Sequence, residues 1–182
     1  MHLQEKTVKS DVVYEGPIFT ITHDIAELEN GKNSVRDVLH HHGGVCVVPV
    51  TENNEIYLVR QFRYPFAAVT TEVPAGKLEK GEDIKSAALR ELKEETGLSA
   101  KKITYLGEMY TTPALIDEII HLYIAEDLSS GEQSLDEDEF INVEKMSLEA
   151  AVKKVLSGEI KDSKTQTIVL RAAFATGLAE RK

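Results

Sequence analysis

The sequence predicts an α/β fold, a mixed sheet packed between helices with an antiparallel β extension ahead of it. Three observations predict it. Short runs of β-branched and aromatic residues, separated by turn signals, fill the chain up to Pro74; a helical period takes over at Ile84; and two more helical segments follow a second group of strands.

In chain order, Val8 to Tyr14 and Ile18 to Ile25 flank the turn pair Gly16-Pro17. Asn30-Gly31 marks the next turn before Val35 to His41, so residues 1–42 read as an antiparallel meander. Gly43-Gly44 breaks the chain, and residues 43–182 are expected to form the main domain. Val45 to Val50 is almost wholly apolar, which suits a central strand covered on both faces and gives Cys46 a packing role. Ile56 to Phe62 is expected to pair with it across the polar turn Glu52 to Asn54, and Val69 to Val73 is a further strand ended by Pro74. From Ile84, the residues Ile84, Ala87, Ala88 and Leu92 recur at helical spacing among strong helix formers, and Gly97 supplies the stop. Ile103 to Tyr110 and Ile119 to Ile124 read as strands, Ser129 to Glu139 as an acidic loop, and Phe140 to Val143 as the last strand. A helix from Leu148 to Leu156 follows a Ser147 cap. Another starts at Ser163, with Gln166 in capping-box spacing, and ends near Gly177.

A chain of 182 residues, 42% hydrophobic and 29% charged, can bury roughly 70% of the surface its unfolded form exposes, so folding requires no disulfide or structural metal. The formal net charge of -10 repels a polyanion and removes the counterion release that drives nucleic-acid binding. Cys46, the single cysteine, cannot form an intramolecular disulfide. Met1 to Ser10 holds no apolar signal region, and no run approaches the roughly 20 apolar residues of a membrane span. A cytoplasmic protein without membrane attachment is expected.

Glu91, Glu94 and Glu95 stand at i, i+3 and i+4, so they project from one side of a single helical turn. Like charges at that spacing cost a few tenths of a kcal/mol per pair, and these lie toward the helix C-terminus, where the macrodipole disfavours anions. On an ordinary helix such a cluster is a solvated acidic face. Here the surrounding pattern turns the local penalty into the mark of a bound cation, and hard carboxylate oxygens suit Mg²⁺, with Mn²⁺ as the alternative. His40, His41 and His42 also form a tract rich in metal-ligand residues, but neighbours on a strand face opposite sides and cannot all reach one ion.

From Gly76 the chain reads Gly76, five residues, Glu82, seven residues, then Arg90-Glu91-Leu92-Lys93-Glu94-Glu95-Thr96-Gly97-Leu98. It resembles the Nudix hydrolases, whose box is G-x5-E-x7-R-E-U-x-E-E-x-G-U with U aliphatic, and all nine specified positions match. The seven non-aliphatic positions alone would match by chance about once in a hundred million placements. The resemblance implies a Nudix-type α/β/α sandwich and a loop-helix-loop element. In it, Arg90 orients the acidic side chains while Glu91, Glu94 and Glu95 hold divalent metal against a diphosphate. Glu82 divides between a metal-site role and a structural one.

Upstream, Arg60-Gln61-Phe62-Arg63 and Glu72-Val73-Pro74-Ala75-Gly76 are similar to the segments preceding the box in the ADP-ribose pyrophosphatase group. The resemblance implies that the Ala75 carbonyl is a metal ligand, and that Arg63 and Glu72 bind substrate, Arg63 at its phosphates. Downstream, Pro113 lies sixteen residues after Gly97, the offset that marks this group, and Thr112 to Glu118 resembles its substrate loop, with Glu118 matching a ribose-binding carboxylate. Ala114 and Leu115 depart from the usual glycine there. In the acidic loop, the general base of the group matches Glu137 best, with Glu139 close behind. Arg36 matches a residue that reaches substrate from the other subunit of a homodimer. The expected activity is metal-dependent hydrolysis of ADP-ribose to AMP and ribose 5-phosphate. The alternatives are another small-molecule nucleoside diphosphate sugar, such as GDP-mannose, and a non-catalytic ADP-ribose-binding sensor.

Overall fold

A computed structural model describes residues 2–178. The chain divides into two units, Met1–Gly43 with Tyr110–Ile119, and Gly44–Met109 with Ile120–Lys182.

The first unit carries an antiparallel sheet of β1 (Lys6–Glu15), β2 (Phe19–Glu27) and β3 (Asn33–His41). Its meander follows the turn signals at Gly16-Pro17 and Asn30-Gly31, and β2 and β3 pair in unbroken register from Phe19 with His41 to Glu27 with Asn33. All ten residues of β1 are exposed. Within this unit, the segment 110–119 is tied to β3: Leu39 N–H donates to the Leu115 carbonyl at 2.9 Å, and Asp117 N–H to the Leu39 carbonyl at 3.2 Å.

The second unit holds β4 (Gly44–Pro49), β5 (Glu55–Arg63), β6 (Ala68–Glu72), β7 (Ala75–Lys77), α1 (Ile84–Thr96), β8 (Leu98–Tyr110, whose last residue falls in the first unit), β9 (Ile119–Ser130, whose first residue does so too), β10 (Asn142–Ser147), α2 (Leu148–Leu156) and α3 (Ser163–Ala175). One sheet runs β7-β4-β9-β8 and a second β10-β5-β6. Strand β4 explains the layering. Its side chains alternate between two cores: Val45 and Val47 pack with Ala87, Ala88 and Leu92 of α1, whereas Cys46 and Val48 pack with Leu148 and Ala151 of α2 and Ile168 and Val169 of α3. β9 does the same, sending Tyr123 and Ala125 to the α1 side and Leu122 and Ile124 to the other. With helices on both faces, the unit is an α/β/α sandwich. Complete burial of a side chain such as Leu92 stabilises it by about 2 kcal/mol.

Four expectations are corrected. The β4–β5 hairpin pairing reduces to a single bridge, Val50 with Ile56. The edges of β4 are taken by antiparallel β7 and parallel β9, so β5 joins β6 and β10 instead. The three-residue β7 had no sequence signal of its own. β9 runs on to Ser130, into the expected acidic loop, and the last strand lies at Asn142–Ser147 rather than from Phe140. Finally, α3 is capped by Asp162, whose carboxylate accepts from Thr165 N–H at 2.9 Å, while Ser163 is already helical. No helix among the described residues is long and apolar enough to cross a membrane.

Candidate active site

Helix α1 presents its acidic residues because both of its ends are fixed. Asp83 caps the first turn by accepting from Ser86 N–H at 2.9 Å, and Gly97, at φ 73°, closes the last with its N–H on the Lys93 carbonyl at 2.8 Å. Ala87, Ala88 and Leu92 hold the helix against β4, which leaves Glu91 (9% exposed) and Glu95 (2% exposed) buried within the second unit.

Arg90 organises the carboxylates. Its Nε and Nη2 donate to the two oxygens of Glu82 at 2.9 and 3.0 Å, and Nη1 donates to Glu91 Oε1 at 2.7 Å and Glu94 Oε2 at 2.9 Å. The bidentate grip of Glu82, followed by burial working against it and then by Glu91 and Glu94, raises the guanidinium pKa above its ordinary value. Glu82 therefore orients Arg90.

Glu95 is held differently: its Oε2 accepts from the backbone N–H of Ala75 at 3.0 Å. Burial pushes its carboxyl up to about 8, outweighing that hydrogen bond, with Glu91 and Glu139 adding to the rise. Burial likewise raises Glu91, only partly countered by Arg90, with Glu94 and Glu139 adding. Gly76 completes the wall, for a Cβ there would stand 1.9 Å from Glu91 Oε1. Among the described residues, no three His, Cys, Asp or Glu side chains converge as a ready ligand cluster. The donor chemistry nonetheless fits a divalent cation, because desolvated carboxylates disfavour their own charge until a cation neutralises it, and the absence of a side chain at Gly76 is what admits the Glu91 carboxylate.

The family model described as NUDIX domain matches residues 40–165. The chain belongs to the Nudix family. It is 46% identical over 165 residues to an ADP-ribose pyrophosphatase of Bacillus subtilis, covering 90% of this chain and 89% of that one. It is 43% identical over 164 residues to a methanol dehydrogenase activator of Bacillus methanolicus, covering 89% of each. A crystal structure of an ADP compounds hydrolase superposes with a TM-score of 0.86 over 100% of this chain and 99% of that chain, at 20% identity, and so shares its fold.

Next to the Nudix helix, Arg63 at the end of β5 donates from Nε and Nη2 to Glu72 Oε1 and Oε2, each at 2.7 Å. Glu72 is 1% exposed and also accepts from Thr70 Oγ1 at 2.6 Å and from Lys164 Nζ. Burial alone would raise its carboxyl, yet Arg63, Lys164 and Thr70 together pull it down to about 2. Lys164, Asp162 and Gln133 are residues that sequence reasoning passed over. Asp162 is a good cap type one position before the predicted start, whereas a lysine in a first helical turn carries no local signal of a buried partner.

The acidic loop is docked on the far end of the same helix. Ser134 N–H donates to the Glu94 carbonyl at 3.0 Å and Gln133 Nε2 to the Glu95 carbonyl at 2.5 Å, satisfying two of the carbonyls that a helix C-terminus leaves without partners. Glu137 and Glu139 are both exposed on this loop.

Arg36, Pro113 and Glu118 belong to the first unit. Arg36 pairs with Glu5 through Nε at 2.9 Å and Nη2 at 2.6 Å. Pro113 is exposed in the loop 112–118, and Glu118 lies 3.2 Å from His41 Nδ1. His40 is engaged by Asp117 at 2.6 Å and Thr22 at 3.1 Å.

Proposed function

We propose that this chain hydrolyses the diphosphate of ADP-ribose to AMP and ribose 5-phosphate with bound Mg²⁺, Mn²⁺ being the alternative ion. The observation that carries the reading is the Nudix helix itself, with buried Glu91 and half-buried Glu94 held by Arg90, and buried Glu95 held by the Ala75 backbone N–H. The relatives named for ADP-ribose hydrolysis support the choice of substrate.

Glu91, Glu94, Glu95 and the Ala75 carbonyl would hold the ion, which supplies positive charge to the diphosphate and makes an attacking water more acidic. Arg90 keeps the carboxylates oriented through its own anchor on Glu82. Arg63, held at Nε and Nη2, keeps Nη1 for a phosphate oxygen, and Glu72 acts by fixing Arg63. A loop carboxylate takes the proton from the attacking water. Glu137 matches the general base of the ADP-ribose pyrophosphatase group best, with Glu139 close behind, and both stand exposed on the loop docked at the end of α1. In the first unit, Glu118 is the candidate ribose-binding carboxylate and Pro113 belongs to the candidate substrate loop. Arg36 would act from the second copy of a homodimer, with the fully exposed β1 available to be covered. A monomeric mass at micromolar concentration would overturn that assembly.

The deciding experiment is a panel of nucleoside diphosphate sugars with product analysis in Mg²⁺. ADP-ribose is expected to be cleaved best, yielding AMP and ribose 5-phosphate. Preferred cleavage of GDP-mannose would refute the assigned substrate, and tight ADP-ribose binding without AMP release would refute the enzyme.

A further inference from the structure

Lys164 stands in the first turn of α3 with its ammonium between two carboxylates, Glu72 and Asp162. Its side chain is 15% exposed. Glu72 is the junction of this group. One of its oxygens takes Arg63 Nε and the Thr70 hydroxyl; the other takes Arg63 Nη2 and Lys164 Nζ. Asp162 is bound at both ends too. Oδ1 accepts from Lys164 at 2.8 Å, and Oδ2 caps α3 through Thr165 N–H at 2.9 Å and the Thr165 hydroxyl at 2.6 Å. Thr165 Oγ1 in turn accepts from Val73 N–H at 2.9 Å, so the start of α3 is fastened to the backbone next to Glu72.

We propose that Lys164 is a positioning residue for substrate binding, acting through Glu72 to fix and electrostatically free Arg63 for the substrate diphosphate. Two physical effects lead there. A buried carboxylate with four donors has one orientation, and the guanidinium that grips it has one as well, so Arg63 Nη1 is presented without a search. In addition, a carboxylate shared between two cations neutralises each of them less than it would neutralise one alone, which leaves Arg63 more of its charge for an incoming anion. Burial opposes the Lys164 charge, but Asp162 and Glu72 outweigh it, so the lysine stays protonated. Sequence motifs give Lys164 no part: it lies outside the Nudix box and enters only because α3 is capped beside β6.

This inference rests on the reading of Arg63 as a phosphate ligand, and the test separates the two. Steady-state kinetics with ADP-ribose and Mg²⁺ are measured on the full chain carrying Lys164→Met, Lys164→Arg, Arg63→Ala, and Arg63→Ala with Lys164→Met. Lys164→Met is expected to raise KM about tenfold with kcat changed less than about threefold, and Lys164→Arg to restore KM to within about threefold. In the Arg63→Ala background, Lys164→Met should add nothing further to KM. Purely structural support would instead lower kcat by reducing the active fraction at unchanged KM, and that result overturns the inference. So does a full additional rise in KM on top of Arg63→Ala, or an unchanged KM in Lys164→Met beside a raised one in Arg63→Ala. An unchanged KM in Arg63→Ala alone overturns the phosphate-ligand reading, and the inference with it. Should Lys164→Met fail to fold, Lys164→Gln takes its place in the same cycle under the same criteria.

Discussion

Two glycines of the box do different jobs, and single substitutions tell them apart. At Gly76 the atom that a Cβ would strike is the carboxylate of Glu91, the far end of a flexible side chain. Gly76→Ala is expected to fold with stability within about 1 kcal/mol of wild type, yet to lose most of its turnover because Glu91 is displaced. At Gly97 the obstacles are backbone: φ is 73°, and a Cβ would stand 2.7 Å from the Gly131 carbonyl oxygen. Gly97→Ala should therefore cost stability itself, about 1–2 kcal/mol or more, read from chemical denaturation. Glu137→Gln is expected to lower kcat by about 10²–10⁴-fold, with Glu139→Gln as the alternative site of that loss; near wild-type turnover in both would remove the loop from catalysis. Glu72 supplies a pH signature. Its folded-state value of about 2 lies below its ordinary 4.5, so the stability it contributes is full above about pH 4.5 and is lost as pH falls through about 2. Acid unfolding of wild type should be steeper in that window than that of Glu72→Gln.

Helix α1 was legible in the sequence because every signal agreed: apolar period, strong helix formers and a terminal glycine, with the unusual trio between them. The strand order was not. Period and turn residues mark β4 and β5 as strands, but nothing in them says that β7 and β9 occupy both edges of β4, because pairing is decided by which distant segment buries the same face. The α3 start was read correctly at Ser163 but its cap was misplaced by one residue, since Asp162 and Ser163 are both good cap types side by side. The box residues could be read from spacing alone. The Arg63-Glu72-Lys164-Asp162 chain could not, since it joins β5, β6 and α3 across ninety-two positions between Glu72 and Lys164. The docking of the acidic loop on α1 was equally hidden, and it yields an element-scale prediction. Gln133→Ala frees the Glu95 carbonyl and loosens the loop, so kcat should fall several-fold while KM stays near wild type, and rescue by Gln133→Asn should be poor because the shorter side chain falls short of the carbonyl.

For the whole molecule, metal binding should be visible as stability. A ligand present at a hundred times its dissociation constant adds about 2.7 kcal/mol to a protein that binds it only when folded. Thermal unfolding is expected to shift upward with Mg²⁺ in wild type and to be nearly indifferent to it in Glu95→Gln. The two-faced core around β4 has a separate consequence. The molecule's lone thiol, on Cys46, is fully enclosed between the helical layers, and burial pushes it up to about 12. Alkylating reagents can then reach sulfur only when the central strand comes apart, which makes the native chain its own reporter: the rate of labelling at a single position times the opening of the core.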